Sequence, residues 1–166
     1  MTSIVPESAV PESGLYDRDF ALWCEETVAH LKVREWDKLD AENLIEEIEG
    51  LASRDRREIS SRLDVLLSHL LKRLYVQQAE DYRGWEVTIR EQRRQIQLLL
   101  KQSPSLKSYL LRAFDESWQY ALEDVRADYP QTNFPNEWQY SRGIDDLLST
   151  PFWLKSSEDS NHAGDR

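Results

Sequence analysis

From Leu44 to Leu74 the apolar residues return every three or four positions: Leu44, Ile45, Ile48, Leu51, Ile59, Leu63, Leu66, Leu70 and Leu74. That period marks an amphipathic α-helix, in which residues three and four apart share a face; a strand would alternate instead. The spacing predicts one helix over 41–75, and about 35 residues at ~1.5 Å each make it roughly 50 Å long. Such a rod cannot bury its stripe against itself, so the rest of the chain must supply packing partners. A kink is expected at the polar run 53–58, just after Gly50, with Glu58 and Arg62 as a favourable pair four apart beyond it.

The remaining chain reads the same way. Asp17 is a plausible cap for a helix over 17–36, with Phe20, Trp23, Cys24, Thr27, Val28 and Leu31 on one face. Asp40 is a plausible cap for the long helix. The polar stretch 77–84 reads as a loop, and a third helix spans 85–102. Ser103-Pro104 turns the chain into a fourth helix over 104–128, since Pro is tolerated at a first helical position. Residues 130–154 are irregular yet hold Phe134, Trp138, Tyr140, Phe152 and Trp153, so they read as a strap docked on the bundle, with a short helix at 144–149. Residues 1–14 and 155–166 are polar and aperiodic, and are expected to be disordered. The fold expected is therefore an all-α bundle of four main helices with a C-terminal aromatic strap, as a single domain over 15–154.

The 166 residues suit one domain with a real core and no disulfides, and the one cysteine, Cys24, cannot form one internally. Cys24 reads as a small apolar side chain on the inward face of the first helix. Mean hydropathy is −0.69 and the longest aliphatic run is Leu98-Leu99-Leu100, so no membrane span is expected. The opening lacks a basic patch followed by an apolar stretch, so no signal peptide is expected either. Together these point to the cytoplasm. Charge is uneven: residues 1–52 carry 4 basic and 13 acidic groups, residues 53–101 carry 11 and 7, and residues 102–166 carry 6 and 11, for a net −10.

Signatures of chemistry are sparse. There is no P-loop, no dinucleotide-type glycine pattern and no nucleophile elbow. One Cys and three His cannot supply a zinc site, and His69 has Leu66, not Glu, three residues before it, so the Glu-x-x-His pattern of carboxylate-bridged metal bundles fails. No metal and no cofactor are expected. The most specific polar feature is a spacing of seven: Asp55, Arg62 and His69 recur near the apolar stripe of the long helix, and Gln92 sits in the stripe of the third. Buried polar groups must pair, so these four are expected to form a polar network between the second and third helices. Such a network either fixes which helices pair or lines a small-molecule or catalytic cleft. The arginines Arg54, Arg56, Arg57 and Arg90, Arg93, Arg94 form a candidate basic surface.

The order of several motifs resembles a bacterial family, domain of unknown function 29. They are Tyr16-Asp17-x-Asp19-Phe20-x-x-Trp23, then Leu39-Asp40-x-x-Asn43-Leu44-x-Glu46-Glu47-Ile48-Glu49. Ser61-Arg62-Leu63, His69-Leu70-Leu71-Lys72, Thr88-Ile89-x-x-Gln92-Arg93 and Ser103-Pro104-Ser105-Leu106 follow. The resemblance covers about 16–153. Departures are Ala52 for Gly, Arg73 for Trp, Val76-Gln77 for a Gln-Pro pair, and Gly84 for Ser. The resemblance implies an all-helical bacterial domain and no particular reaction.

A non-enzymatic, intracellular protein-interaction or regulatory domain is the function expected, with an unidentified protein partner, self-association as a homodimer and no membrane. Nucleic-acid binding through the basic 53–101 segment is a first alternative, disfavoured by the overall acidity. A small-molecule or catalytic site at the polar network is a second.

Overall fold

The computed structural model describes residues 14–154, and the expectations of disorder for the lead before Gly14 and for the tail 155–166 lie outside them. Its elements are α1 (Leu15–Arg18), α2 (Phe20–Val33), α3 (Ala41–Tyr75), α4 (Tyr82–Gln102), α5 (Leu106–Asp128) and α6 (Ile144–Ser149). A 3-10 turn, Trp36–Lys38, precedes α3. No strand occurs among the described residues, and the fold is an all-α bundle with four long helices. No helix among them is long and apolar enough to cross a membrane.

The structure differs from the sequence reading at the first helix. Residues 15–33 form two helices, not one, because Asp19 and not Asp17 does the capping: the Leu22 amide donates to Asp19 Oδ1 at 3.0 Å. Arg34 closes α2 in the left-handed region, φ 62°, and its amide donates to the Leu31 carbonyl. The long helix runs unbroken through 53–58. Helix α4 starts at Tyr82, earlier than expected, and α5 starts at Leu106 after a turn in which the Leu106 amide donates to the Ser103 carbonyl.

The chain divides into two compact units, one through Ala52 and one from Ser53. In the second unit, α3 buries Ile59, Leu63, Leu66, Leu67, Leu70 and Leu71; α4 buries Trp85, Ile89 and Ile96; α5 buries Leu110, Phe114, Trp118 and Val125. The aromatic strap closes this core. Trp138 makes edge-on contacts with Phe114, Trp118, Tyr140 and Phe152, at ring-centre distances of 5.3 to 6.1 Å. Its indole donates to the Ser141 carbonyl at 3.1 Å, and that of Trp118 donates to the Asn136 carbonyl at 3.0 Å. Both large rings thus bury their apolar bodies and still satisfy their one polar atom.

In the first unit, α1, α2, the 3-10 turn and the start of α3 are held by polar anchors. The Trp23 indole, 5% exposed, donates to Asp40 Oδ2 at 3.2 Å. The same carboxylate accepts from the Asn43 side chain at 2.7 Å, while Asp40 Oδ1 accepts from the Asn43 amide at 3.4 Å and so caps α3. Tyr16 donates its hydroxyl to Glu47, and stacks edge-on against Phe20 and Trp23.

Candidate functional site

The polar anchors of the first unit leave its apolar side chains open. Three aliphatic residues expected on the inward stripe of the long helix, Ile45, Ile48 and Leu51, are 57%, 58% and 54% exposed. On α2, Phe20, Val28 and Leu31 are exposed as well. Phe20, Cys24, Val28 and Leu31 from α2 and Leu44, Ile48 and Leu51 from α3 line a groove of about 300 Å³ with almost wholly apolar walls. Cys24, expected in a core, is half-buried in this wall. Eleven acidic and four basic side chains lie in residues 14–52, so the groove belongs to an acidic unit. Glu42, Glu46 and Glu49 are exposed, whereas Glu47 is half-buried under Tyr16. The hydrogen bond to Glu47 and the surrounding carboxylates push the Tyr16 phenol up to about 12, so it stays a donor at neutral pH.

The four residues expected as one network separate. Arg62 and Gln92 come together across α3 and α4: Arg62 Nη1 donates to Gln92 Oε1 at 3.3 Å, and its Nε and Nη2 donate to Glu58 at 3.1 and 2.9 Å. Asp55 lies one turn before Ile59, with Arg54 4.0 Å away. His69 turns to α5. Its Nδ1 is 2.8 Å from the Val65 carbonyl, one turn back on α3 itself; a carbonyl only accepts, so Nδ1 carries the proton and Nε2 is left as the acceptor. Burial pushes the His69 pKa below its ordinary value, with the Val65 carbonyl opposing, so the ring is neutral at pH 7.

A cleft between α3 and α5 thus holds His69, Ser68, Asp124 and Tyr120, and an adjoining one shares Asp64 and Tyr120 and adds Ser117 and Arg57. The Asp64 Oδ1 atom is buried with no hydrogen-bond partner, and burial raises its pKa while the Ser117 hydroxyl pulls it down. Among the described residues, the side-chain hydrogen bond His69 makes is to the Val65 carbonyl and not to a hydroxyl of this cleft. No group of three or more His, Cys, Asp or Glu among the described residues is placed to hold a metal ion.

The candidate basic surface separates too. Arg54, Arg56, Arg57, Arg90 and Arg94 are exposed, but Arg93 is buried. It sits four residues after Ile89 and three before Ile96, which puts it in the centre of the buried face of α4.

A family model described as domain of unknown function DUF29 matches residues 15–153. The chain is a member of the DUF29 family. No curated protein and no solved structure matches it. The motifs that carried the resemblance acquire a physical meaning in this DUF29 chain. The first two are bound to each other, Tyr16 to Glu47 and Trp23 to Asp40, so together they build the first unit and present its groove. The sequence reading assigns no groove to these two helices. The available signal was the recurrence of apolar residues on both helices of a segment too short to bury them.

Proposed function

We propose that this DUF29 domain is a non-enzymatic protein-interaction domain of the cytoplasm, and that it takes a cationic amphipathic helix of a partner protein into the groove between α2 and the start of α3. The observation that carries this is the open apolar groove. Apolar rows on two helices, at three- and four-residue spacing, are what a third amphipathic helix needs in order to bury its own stripe. Charge selects among occupants. The unit around the groove is strongly acidic, so a second copy would bring like charge onto like, whereas a basic helix finds a complementary rim. Nucleic acid has less support: Arg93 is buried, Arg94 is committed to Glu91 at 3.2 Å, and the net charge is −10.

The test is calorimetric titration with two synthetic helices of about 18 residues, or five turns, sharing one leucine stripe, one with lysine and one with glutamate on the polar face. The lysine peptide is expected to bind, more weakly as salt rises, and the glutamate peptide is not. Ile48→Ser, at an exposed position, is expected to weaken binding about tenfold, since losing ~1.4 kcal/mol of apolar contact is a factor of ten. Equal binding of both peptides, or no change with Ile48→Ser, would overturn the reading. So would sedimentation as a dimer that Ile48→Ser dissociates, which would make a second copy the occupant.

A further inference from the structure

Arg93 presents a separate problem. It is 8% exposed, yet no carboxylate among the described residues pairs with it. Nη2 donates to the Thr150 carbonyl at 2.6 Å, Nε has no partner, and the guanidinium carbon lies 5.9 Å from the centre of the Phe152 ring. A buried guanidinium offers five N–H donors and carries a full charge, and each unmet demand is costly. Burial with no compensating anion pushes its pKa down to about 10, still charged at neutral pH.

Arg93 lines a cavity of about 460 Å³ between α4 and the end of α6 with the segment that follows it. Two more guanidiniums stand on the same wall: Arg90, three residues before, and Arg94, one after, the latter paired with Glu91 at 3.2 Å. The one carboxylate in that wall, Glu86, is bound to Arg73 Nε at 2.6 Å and turned to it. Leu148, Pro151 and Trp153 make the opposite side apolar, with the Trp153 ring also under Arg73 at 5.2 Å. The cavity is therefore cationic on one side and flat and apolar on the other, and its volume is in the usual range for small-molecule sites, roughly 300–1,000 Å³.

We propose that this cavity binds a small organic oxyanion, a phosphate or carboxylate joined to a flat apolar body, with the anionic group on Arg93 and Arg90 and the body against Trp153 and Pro151. A planar guanidinium matches either oxyanion through paired N–H donors, which is why both share the site's chemistry. The site is independent of the groove in the first unit, and survives or fails without it.

The test uses the full chain and four probes: 1-naphthyl phosphate, 1-naphthoate, uncharged 1-naphthol and inorganic phosphate. Binding is read by calorimetry and by the rise in melting temperature. One or both naphthyl anions are expected to bind, and which is tighter assigns the natural anion to phosphate or carboxylate. Naphthol and inorganic phosphate are each expected to bind at least about tenfold more weakly than the better anion, because each lacks one half of the contacts. Arg93→Met is expected to abolish anion binding. Because Arg93 is buried, Arg90→Gln at an exposed position serves as the second variant and is expected to weaken binding severalfold in a fully folded protein. Arg112→Gln, an exposed α5 arginine, should leave it unchanged. Failure of both naphthyl anions to bind at millimolar concentration would overturn the proposal. Binding that Arg90→Gln leaves intact, or that Arg112→Gln weakens equally, would do so as well.

Discussion

Leu110 and Leu111 are neighbours on α5 with opposite surroundings: the first is 1% exposed and the second 50%. A single residue turns the helix by about 100°, enough to move a side chain from the core to water. Replacing either by Ala removes the same three carbons from the same helix, so differences in helix propensity cancel. At Leu110 the lost transfer free energy is about 0.8 kcal/mol per carbon, or about 2.4 kcal/mol, and the cavity left in the core raises the cost to about 3–5 kcal/mol. At Leu111 half of the transfer energy is already forgone in the native state and no cavity forms, so the cost is about 1 kcal/mol or less. Urea unfolding followed by circular dichroism measures both. For a domain of this size the Leu110→Ala melting temperature should fall by roughly 10 °C, and that of Leu111→Ala by only a few degrees. Equal losses at the two positions would refute the orientation of α5. A large loss at Leu111 alone would mean that the wrong face of α5 has been assigned to the core.

Asp64 carries a pH dependence of definite sign. Burial raises its folded-state pKa above 3.8, so the folded chain holds this proton more tightly than the unfolded chain does. The stabilisation it gives is present below 3.8 and is lost as pH rises through the folded value. Asp64→Asn removes that loss, so its stability relative to the parent should rise between pH 3 and pH 7; a difference independent of pH over that range would contradict the burial of Oδ1. At Arg34 a side chain occupies the left-handed region, φ 62°, where a Cβ costs ~1–2 kcal/mol. Arg34→Gly should stabilise the chain by about 0.5–1 kcal/mol in urea unfolding, and a destabilisation would show that the Arg34 side chain contributes more than its backbone costs.

Periodicity alone located the elements whose stripes are strong. Helix α3 falls at 41–75 as the spacing predicts, and α6 falls at 144–149, the bounds expected for the short helix of the strap. The break between α1 and α2 is harder to read, because Asp17 and Asp19 are both residues that cap well, and it is the Asp19 side chain that accepts the Leu22 amide. Side-chain placement was less legible than helix placement. Gln92 and Arg93 are adjacent, and the sequence reading put the neutral one in the stripe; the buried series Trp85, Ile89, Arg93, Ile96, Leu100 puts the charged one there instead. His69 and Arg62 share a helical direction, but seven residues rise about 10 Å along the axis, and the neighbour changes over that distance from α4 to α5. A one-dimensional spacing cannot carry the identity of the helix it faces.

The two places where the local pattern and the fold disagree do so in opposite senses. Ile45, Ile48 and Leu51 are apolar residues on a regular stripe left open, and Arg93 is a charged residue on a regular stripe closed over. Consistency between pattern and burial holds along the rest of α3, α4 and α5, where the stripe residues from Ile59 to Val125 form one core. Neither exception contributes to that core. Exposed aliphatic rows forgo burial free energy, and a buried guanidinium without a counter-ion raises the free energy of the native state. The two proposed ligands answer these mismatches in opposite ways: an apolar helix with a basic rim would cover the first, and an oxyanion with an apolar body would supply the counter-charge at the second. Each exception lies wholly within one compact unit, so the mismatch that a ligand removes is local to its own site, and binding at one is expected without occupancy of the other.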